Sequence, residues 1–147
     1  MKRDRVVLDT NVLISGLLST TSTPAQAVER AISDGQLLAS TATLRELMTK
    51  LLSPKFDRYV PRERRDVLLL RLAPLIEIVE VVQRIQASRD PDDDKFLEVA
   101  INGRADVVVS GDGDLPDLNP FRGIAILAPA AYMDQTLIAK SRAPSTG

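Results

Sequence analysis

The chain has 147 residues, 44% of them hydrophobic, which is enough for one domain to bury a core without disulfides or a structural metal. It contains no His and no Cys, which excludes Ser-His-Asp triads, thiolate nucleophiles and zinc sites built on those residues. Any enzyme made from this chain must therefore use carboxylates, hydroxyls, Lys, Arg or a bound ion. The net charge of -1 gives no overall attraction to nucleic acid, so such binding would need a local basic patch.

Short apolar runs and helix signals alternate along the chain. The runs predict five strands, at 6–8, 37–39, 76–82, 107–109 and 124–127. The signals between and after them predict helices at 24–34, 41–51, 55–60, 62–75, 92–101 and 129–140. This alternation predicts an α/β fold with a mostly parallel sheet that is covered by helices on both faces.

Capping residues mark where the first helices begin and end. Thr23 is expected to cap the helix that has Pro24 in its first turn and Gly35 at its end. Ser40 or Thr41 is expected to cap the next one. The predicted apolar face of that second helix consists of Leu44, Leu47, Met48 and Leu51.

The sequence shows no segment that resembles a signal peptide or a membrane span. Asp9 interrupts the first apolar stretch, and the most apolar region, 67–82, contains charged residues and a proline. We therefore expect a soluble protein without a membrane partner, and the absence of cysteine suits a reducing cytoplasm. We expect one domain over 1–140, followed by a loose polar tail over 141–147.

Carboxylates follow two of the predicted strands: Asp9 after the first, and Asp112 and Asp114 after the fourth. Because the carboxyl ends of parallel strands meet at one edge of a sheet, we expect these acids to lie close together. The stretch 90–117 holds nine acids against two bases. Taken singly, each acid is more simply explained as a turn or cap residue. Together they predict a crevice that binds a hard divalent ion, since a chain without His and Cys supplies oxygen ligands there.

Four stretches, 6–15, 44–47, 90–97 and 109–115, occur in the order and spacing of a known family. They make the sequence resemble the PIN-domain family, the metal-dependent ribonucleases that include toxins of bacterial toxin-antitoxin pairs. The resemblance implies a three-layer α/β/α fold with four or five parallel strands, and a cofactor of one or two Mg2+ or Mn2+ ions. It also implies a single-stranded RNA substrate, a possible antitoxin partner and a homodimer.

The resemblance also implies roles for individual residues. It implies four catalytic acids, which are Asp9, Glu46, Asp93 and Asp112. The metal ligands that it implies are Asp9, Asp93, Asp112 and Asp114. Asn11 is expected to orient Asp9, and Ser110 stands where the family has Thr or Ser.

The second predicted helix and the stretch that follows it contain further candidate site residues. Glu46 falls opposite the apolar stripe, so its position on the helix predicts a solvated side chain, and only the resemblance places it in the crevice. The stretch 45–71 carries eight bases against four acids, a pattern that most often marks a solvated face. Beside a metal site it could also contact a phosphate backbone. The candidate RNA-binding residues are Arg45, Lys50, Lys55 and Arg58.

Helical spacing separates the three adjacent aspartates of the fifth predicted helix. Asp93 shares a face with the apolar residues 96, 97 and 100, so its carboxylate should project toward the sheet and the crevice. Asp94 is turned about 100° away and is expected to face water. Asp92 is expected to cap the helix.

Three alternatives stay open. Haloacid-dehalogenase-like phosphatases also place an Asp after the first strand, but they need a second Asp two residues later, where this chain has Asn11. A PIN-like module could bind RNA or a protein without catalysis, at the cost of an unneutralised acidic cluster. A PIN nuclease could also process RNA as a housekeeping enzyme.

Overall fold

Five short parallel strands form the sheet of the protein in a computed structural model that describes residues 3–111 and 113–134. The strands are β1 (Asp4–Leu8), β2 (Gly35–Ala39), β3 (Ile76–Ile78), β4 (Val107–Val109) and β5 (Ala125–Leu127). Their order across the sheet is β3-β2-β1-β4-β5. The predicted α/β class with a parallel sheet is confirmed.

Six α-helices of the described residues surround the sheet. They are α1 (Thr10–Leu17), α2 (Thr23–Asp34), α3 (Thr41–Leu51), α4 (Arg62–Leu72), α5 (Asp94–Asn102) and α6 (Pro129–Met133). Within the described ranges, no helix is long and apolar enough to cross a membrane. The remainder of the predicted last helix and the predicted tail lie outside the described residues.

Both faces of the sheet are buried, as the apolar strands predict. Val6 of β1 packs into one core together with side chains of α1 to α4 and α6. The next residue, Val7, points to the opposite face and packs into a second core with α5. The two cores give the predicted three-layer arrangement, with β1 and β4 at its centre.

Helix α1 was not predicted from the sequence. Asp9 caps it, because its side chain accepts a hydrogen bond from the backbone N–H of Val12 at 2.8 Å. Three consecutive residues of the helix, 12–14, are buried, because α1 packs between α2 and α3. An uninterrupted apolar run of this kind does not show the helical periodicity that sequence analysis uses.

The structure identifies the caps of α2 and α3 and corrects one predicted core residue. Ser22 caps α2, not Thr23, because its hydroxyl accepts from the backbone N–H of Ala25 at 3.2 Å. For α3, Ser40 is the cap. Met48 does not belong to the apolar face, since α3 leaves its side chain on the surface with 46% of its area exposed.

Three predicted elements are shorter in the structure. Strand β3 ends at residue 78, because only its three residues pair with β2 and the chain then leaves the sheet. The helix predicted over 55–60 is reduced to one 3-10 turn at Pro54–Phe56, which Ser53 caps. Helix α4 ends at Leu72 and is followed by a 3-10 turn at Ala73–Leu75.

A fully buried arginine ties the end of α3 to the start of α4. The guanidinium of Arg65 donates to the carbonyls of Leu51 at 2.8 Å, Ser53 at 3.0 Å and Val60 at 3.1 Å, and also pairs with the Asp57 carboxylate. A planar group with five N–H donors can satisfy several carbonyls at once, which a lysine cannot do in the same geometry. Arg65 therefore holds the connection between the two helices in place.

We expect Arg65→Met to lower the free energy of unfolding by about 3 kcal/mol, because the change leaves buried carbonyls without donors. Arg64→Met is the matched control, since Arg64 is exposed on the same helix and should change stability by no more than about 0.5 kcal/mol. Urea unfolding of both variants checks this. Equal stability of the two would show that the Arg65 contacts contribute nothing.

Candidate active site

Asp9 lies at the carboxyl end of β1, where its side chain is 6% exposed. One carboxylate oxygen caps α1 through Val12, and the other accepts a hydrogen bond from the hydroxyl of Ser110 at 2.6 Å. The backbone N–H of Asp9 donates to the carbonyl of Val109 at 2.9 Å. Both oxygens are thus fixed at the junction of the two central strands.

The residues that orient Asp9 differ from the prediction. Ser110 and the backbone of Val12 hold the two oxygens of its carboxylate. Asn11, predicted for this task, is exposed and lines a groove together with Lys50 and Lys55. This arrangement follows from the helical turn after Asp9, which rotates the next side chains away from one another.

Glu46 of α3 lies beside the residue that follows Asp9. Its Oε2 accepts from the hydroxyl of the buried Thr10, and its Oε1 accepts from the Lys95 ammonium at 2.8 Å. Lys50, one turn along α3, lies 3.6 Å from Oε1. Only 17% of the Glu46 side chain is exposed, so the expectation of a solvated residue is wrong. The cause is the packing of α3 against both α1 and α5, which covers the polar face of the helix.

The environment of Glu46 favours its charged form. Burial raises the pKa of its carboxyl, but the hydrogen bonds from Lys95 and Thr10 outweigh that effect and hold the pKa below the usual value of 4.5. The charges of Lys95 and Lys50 act in the same direction. Glu46 is therefore a carboxylate at neutral pH.

Asp93 lies in a 3-10 turn, Pro91–Asp93, that leads into α5. It occupies the position before the helix but makes no capping hydrogen bond. Burial raises the pKa of its carboxyl above the usual 3.8, and the charges of Asp90, Asp114, Asp9 and Glu46 raise it further. Asp93 thus lies within electrostatic reach of three other predicted site residues.

The other aspartates of this segment serve local structure. Asp90 caps the 3-10 turn through the backbone N–H of Asp92 at 3.0 Å, so the prediction that Asp92 is the cap is wrong. The reason is that a 3-10 turn precedes the helix and begins at residue 91, which places the cap two residues earlier than expected. Asp94 does not face water either, since it is buried and accepts from the backbone N–H groups of Ala87 at 3.1 Å and Ser88 at 2.8 Å.

The segment after β4 runs past Asp93. A Cβ atom at Gly113 would lie 4.0 Å from the Asp93 Oδ2. Asp114 is 33% exposed and pairs with Arg89, whose Nε lies 3.4 Å from its Oδ1. Asp112, the fourth predicted acid, lies outside the described residues, so its place in the site stays a prediction.

Residues 5–114 match the family profile of the PIN domain. The chain belongs to the PIN-domain family of nucleases. An uncharacterized protein of Methanocaldococcus jannaschii is 32% identical over 116 residues, which cover 78% of this chain and 74% of that protein.

Two solved structures are similar to this PIN domain. VapBC2 from Rickettsia felis, bound to a DNA fragment from its promoter, aligns with a TM-score of 0.56 and 12% identity, over 83% of this chain and 96% of that one. VapC20 of Mycobacterium tuberculosis, a toxin that cleaves the sarcin-ricin loop, has a TM-score of 0.48 and 14% identity, over 74% and 91% of the two chains. At such low identity, the first likeness supports the fold alone.

The donor chemistry of this PIN domain fits a hard divalent cation. The available donors are carboxylate and hydroxyl oxygens, which Mg2+ and Mn2+ prefer. Within residues 3–111 and 113–134, the side chain of Asp93 has neither a hydrogen bond nor an ion pair, so its carboxylate is available. No three acids of these described residues lie close enough together to hold an ion by themselves. A site formed only by Asp9, Asp93 and Asp114 would thus be incomplete.

The predicted RNA-binding residues of the PIN domain are all exposed. Lys50 and Lys55 line one groove with Asn11, next to Glu46. Arg45 lines a different groove, together with Arg84. The bases on α3 therefore flank Glu46 on two sides, and Arg58 lines neither groove.

Sequence analysis missed three residues of this PIN domain site: Thr10, Lys95 and Arg89. Thr10 and Lys95 hold Glu46, and Arg89 pairs with Asp114. Lys95 did have a signal, since it is one of only two bases in the acidic stretch 90–117. A base kept among nine acids indicates that its charge is used there.

We expect Asp93→Asn to raise the melting temperature of the metal-free PIN domain at neutral pH. The raised pKa means that ionised Asp93 opposes folding, and Asn removes that charge. The gain should vanish below the ordinary carboxyl pKa of 3.8 and grow as the pH rises through the raised pKa of Asp93. Thermal unfolding in EDTA between about pH 3.5 and 7.5 measures it. A variant no more stable than the wild type at neutral pH would contradict the repulsion.

Proposed function

We propose that the protein is a Mg2+- or Mn2+-dependent endoribonuclease that cleaves single-stranded RNA. The observation that carries the proposal is that Asp9 follows β1 at the carboxyl edge of a PIN-domain sheet, that Glu46 binds the next residue, Thr10, and that the charges of Asp9 and Glu46 raise the pKa of Asp93. PIN family membership supports phosphodiester hydrolysis. It also argues against the haloacid-dehalogenase-like alternative.

In the proposed mechanism, Asp9, Asp93, Asp112 and Asp114 would hold the ion. The ion would activate a water and stabilise charge on the phosphate. Ser110 keeps the Asp9 carboxylate oriented through the hydrogen bond of 2.6 Å. Without a cap bond, the side chain of Asp93 is free to turn toward an ion. Glu46 contributes a fixed negative charge beside this set.

The proposed RNA contacts are Arg45, Lys50, Lys55 and Arg58. They are exposed, and three of them line grooves that adjoin α3, the helix that carries Glu46. Phe56 forms part of the wall of the Lys50 groove, where a base of a single strand could stack on it. A duplex would present its bases only at the edges of its grooves. The combination favours a single-stranded substrate.

We propose that the protein acts in the cytoplasm as the toxin of a toxin-antitoxin pair. Membership of the PIN family, which includes toxins of toxin-antitoxin pairs, supports an antitoxin partner. So do exposed apolar side chains near α4, since Tyr59 is 74% exposed and Leu70 is 73% exposed. The same surface would also serve a homodimer. If no small protein is encoded beside it, a housekeeping role in RNA processing is favoured.

We expect cleavage of single-stranded RNA in Mn2+ or Mg2+ and none in EDTA, with activity restored when the ion returns. Asp9→Asn should lose most activity and keep the fold, because Asn can still cap α1 while it removes an anionic ligand. A labelled RNA followed by gel electrophoresis, with circular dichroism of the variant, measures both. Cleavage that survives thorough chelation would refute the metal dependence.

We expect Asp93→Asn to lose cleavage and Mn2+ affinity, whereas Asp92→Asn keeps both. The two residues are adjacent, but Asp93 faces the other acids and Asp92 is exposed. Asp94→Asn should keep cleavage, because an Asn oxygen can still accept from the amides of residues 87 and 88. Loss of Mn2+ affinity in Asp92→Asn instead would show that the wrong aspartate has been chosen.

A further inference from the structure

Lys95 has hydrogen-bonding capacity that the described residues of the protein do not use. Its ammonium has three N–H donors, and one of them binds Glu46 at 2.8 Å. No other acceptor in the described part of the chain binds it, although only 21% of the side chain is exposed. Two donors of this largely covered cation therefore have no acceptor among the described residues.

The position of this ammonium is set by its partners. Glu46 is itself anchored by the hydroxyl of Thr10, the residue after Asp9. Lys95 follows Asp93 by two residues on the start of α5, so the same helix end carries both. Thr10, Glu46 and Lys95 thus form a chain of contacts that holds the ammonium at Glu46, whose charge also acts on Asp93.

An acidic crevice repels an anionic substrate unless positive charge lies within it. Metal ions offset the carboxylates, and a phosphodiester then adds a negative charge of its own. An ammonium whose position is already fixed can stabilise this negative charge, because its N–H donors need not reorient when the transition state forms.

We propose that Lys95 is a catalytic residue that binds a non-bridging oxygen of the scissile phosphate, with Glu46 and Thr10 as its positioning residues. The proposal rests on the proposed nuclease function. In hydrolysis, a water oxygen bonds to phosphorus, the bond from phosphorus to the leaving oxygen breaks, the water loses a proton to solvent and the leaving oxygen gains one. Lys95 transfers no proton and stabilises the charge on the phosphate.

Lys50 provides a matched control. It contacts the same oxygen of Glu46, but at 3.6 Å and with 50% of its side chain exposed. An exposed cation of this kind attracts RNA without contributing to the chemical step. The two lysines therefore differ in burial and distance while they share one partner.

The test measures kcat and KM on a fluorescent single-stranded RNA in Mn2+. Lys95→Gln should lower kcat about a hundredfold and change KM less than about threefold, as when one donor to a reacting oxygen is removed. Lys95→Arg should recover part of kcat, and Lys50→Gln, which alters a proposed RNA contact, should raise KM at low salt and lower kcat less than Lys95→Gln does. Should Lys95→Gln fold poorly, Lys95→Met keeps the apolar stem and is expected to lose kcat in the same way.

Two further measurements separate this role from a structural one. Calorimetry should give the same Mn2+ affinity for Lys95→Gln as for the wild type. A 2′-O-methyl RNA in Ca2+ serves as the bound analogue. Water and not the 2′-hydroxyl is the proposed nucleophile, so Ca2+ replaces Mn2+ to prevent cleavage. The affinity of this RNA for Lys95→Gln in fluorescence anisotropy should lie within about threefold of its affinity for the wild type, as KM does.

The possible outcomes are distinguishable. If the wild type cleaves, Asp9→Asn does not, and Lys95→Gln keeps the wild-type kcat, the role of Lys95 is refuted while the nuclease function stands. A parallel loss of kcat and Mn2+ affinity in Lys95→Gln would also refute it. A wild type that neither cleaves RNA nor binds the analogue would overturn both proposals.

Discussion

The hydrogen bond between Ser110 and Asp9 joins the carboxyl ends of the two central strands, and the arrangement of the site depends on it. The other carboxylate oxygen of Asp9 caps α1, and Thr10, the first residue of that helix, binds Glu46 of α3. A buried carboxylate is stable only when its oxygens are satisfied, and here both are. The same contacts that make Asp9 a structural cap therefore keep its negative charge at the sheet edge.

Neighbouring aspartates of identical chemistry perform different tasks in the acidic segment. Asp90 caps a 3-10 turn and Asp94 binds two amides of an upstream loop, so each exchanges water for backbone donors. Asp93 has no such compensation, and its pKa is raised by burial first and by the surrounding carboxylates next. Repulsion of this kind costs stability in the empty protein. It is the electrostatic condition under which a cation binds favourably.

Local signals in the sequence were sufficient for much of the fold and for part of the site. The apolar runs located all five strands of the described chain, and Ser40 was one of two caps proposed for α3. Helix α1 was not predicted, because the burial of its residues 12–14 depends on neighbours from distant parts of the chain. Helical spacing did not predict the burial of Glu46 and Asp94 for the same reason, since their hydrogen-bond partners come from other segments. Helical spacing reports one helix at a time and cannot show which face another helix covers.

The Arg65 clamp uses mostly backbone carbonyls as acceptors, at residues 51, 53 and 60. Every amino acid supplies a carbonyl, so side chains along the α3–α4 connection can change without loosening it, apart from Asp57. This connection carries Lys55, Arg58 and Tyr59, which face outward. Mutation could thus remodel the surface offered to RNA or to a protein partner while the scaffold beneath stays constant. A new specificity could evolve there without a loss of folding stability.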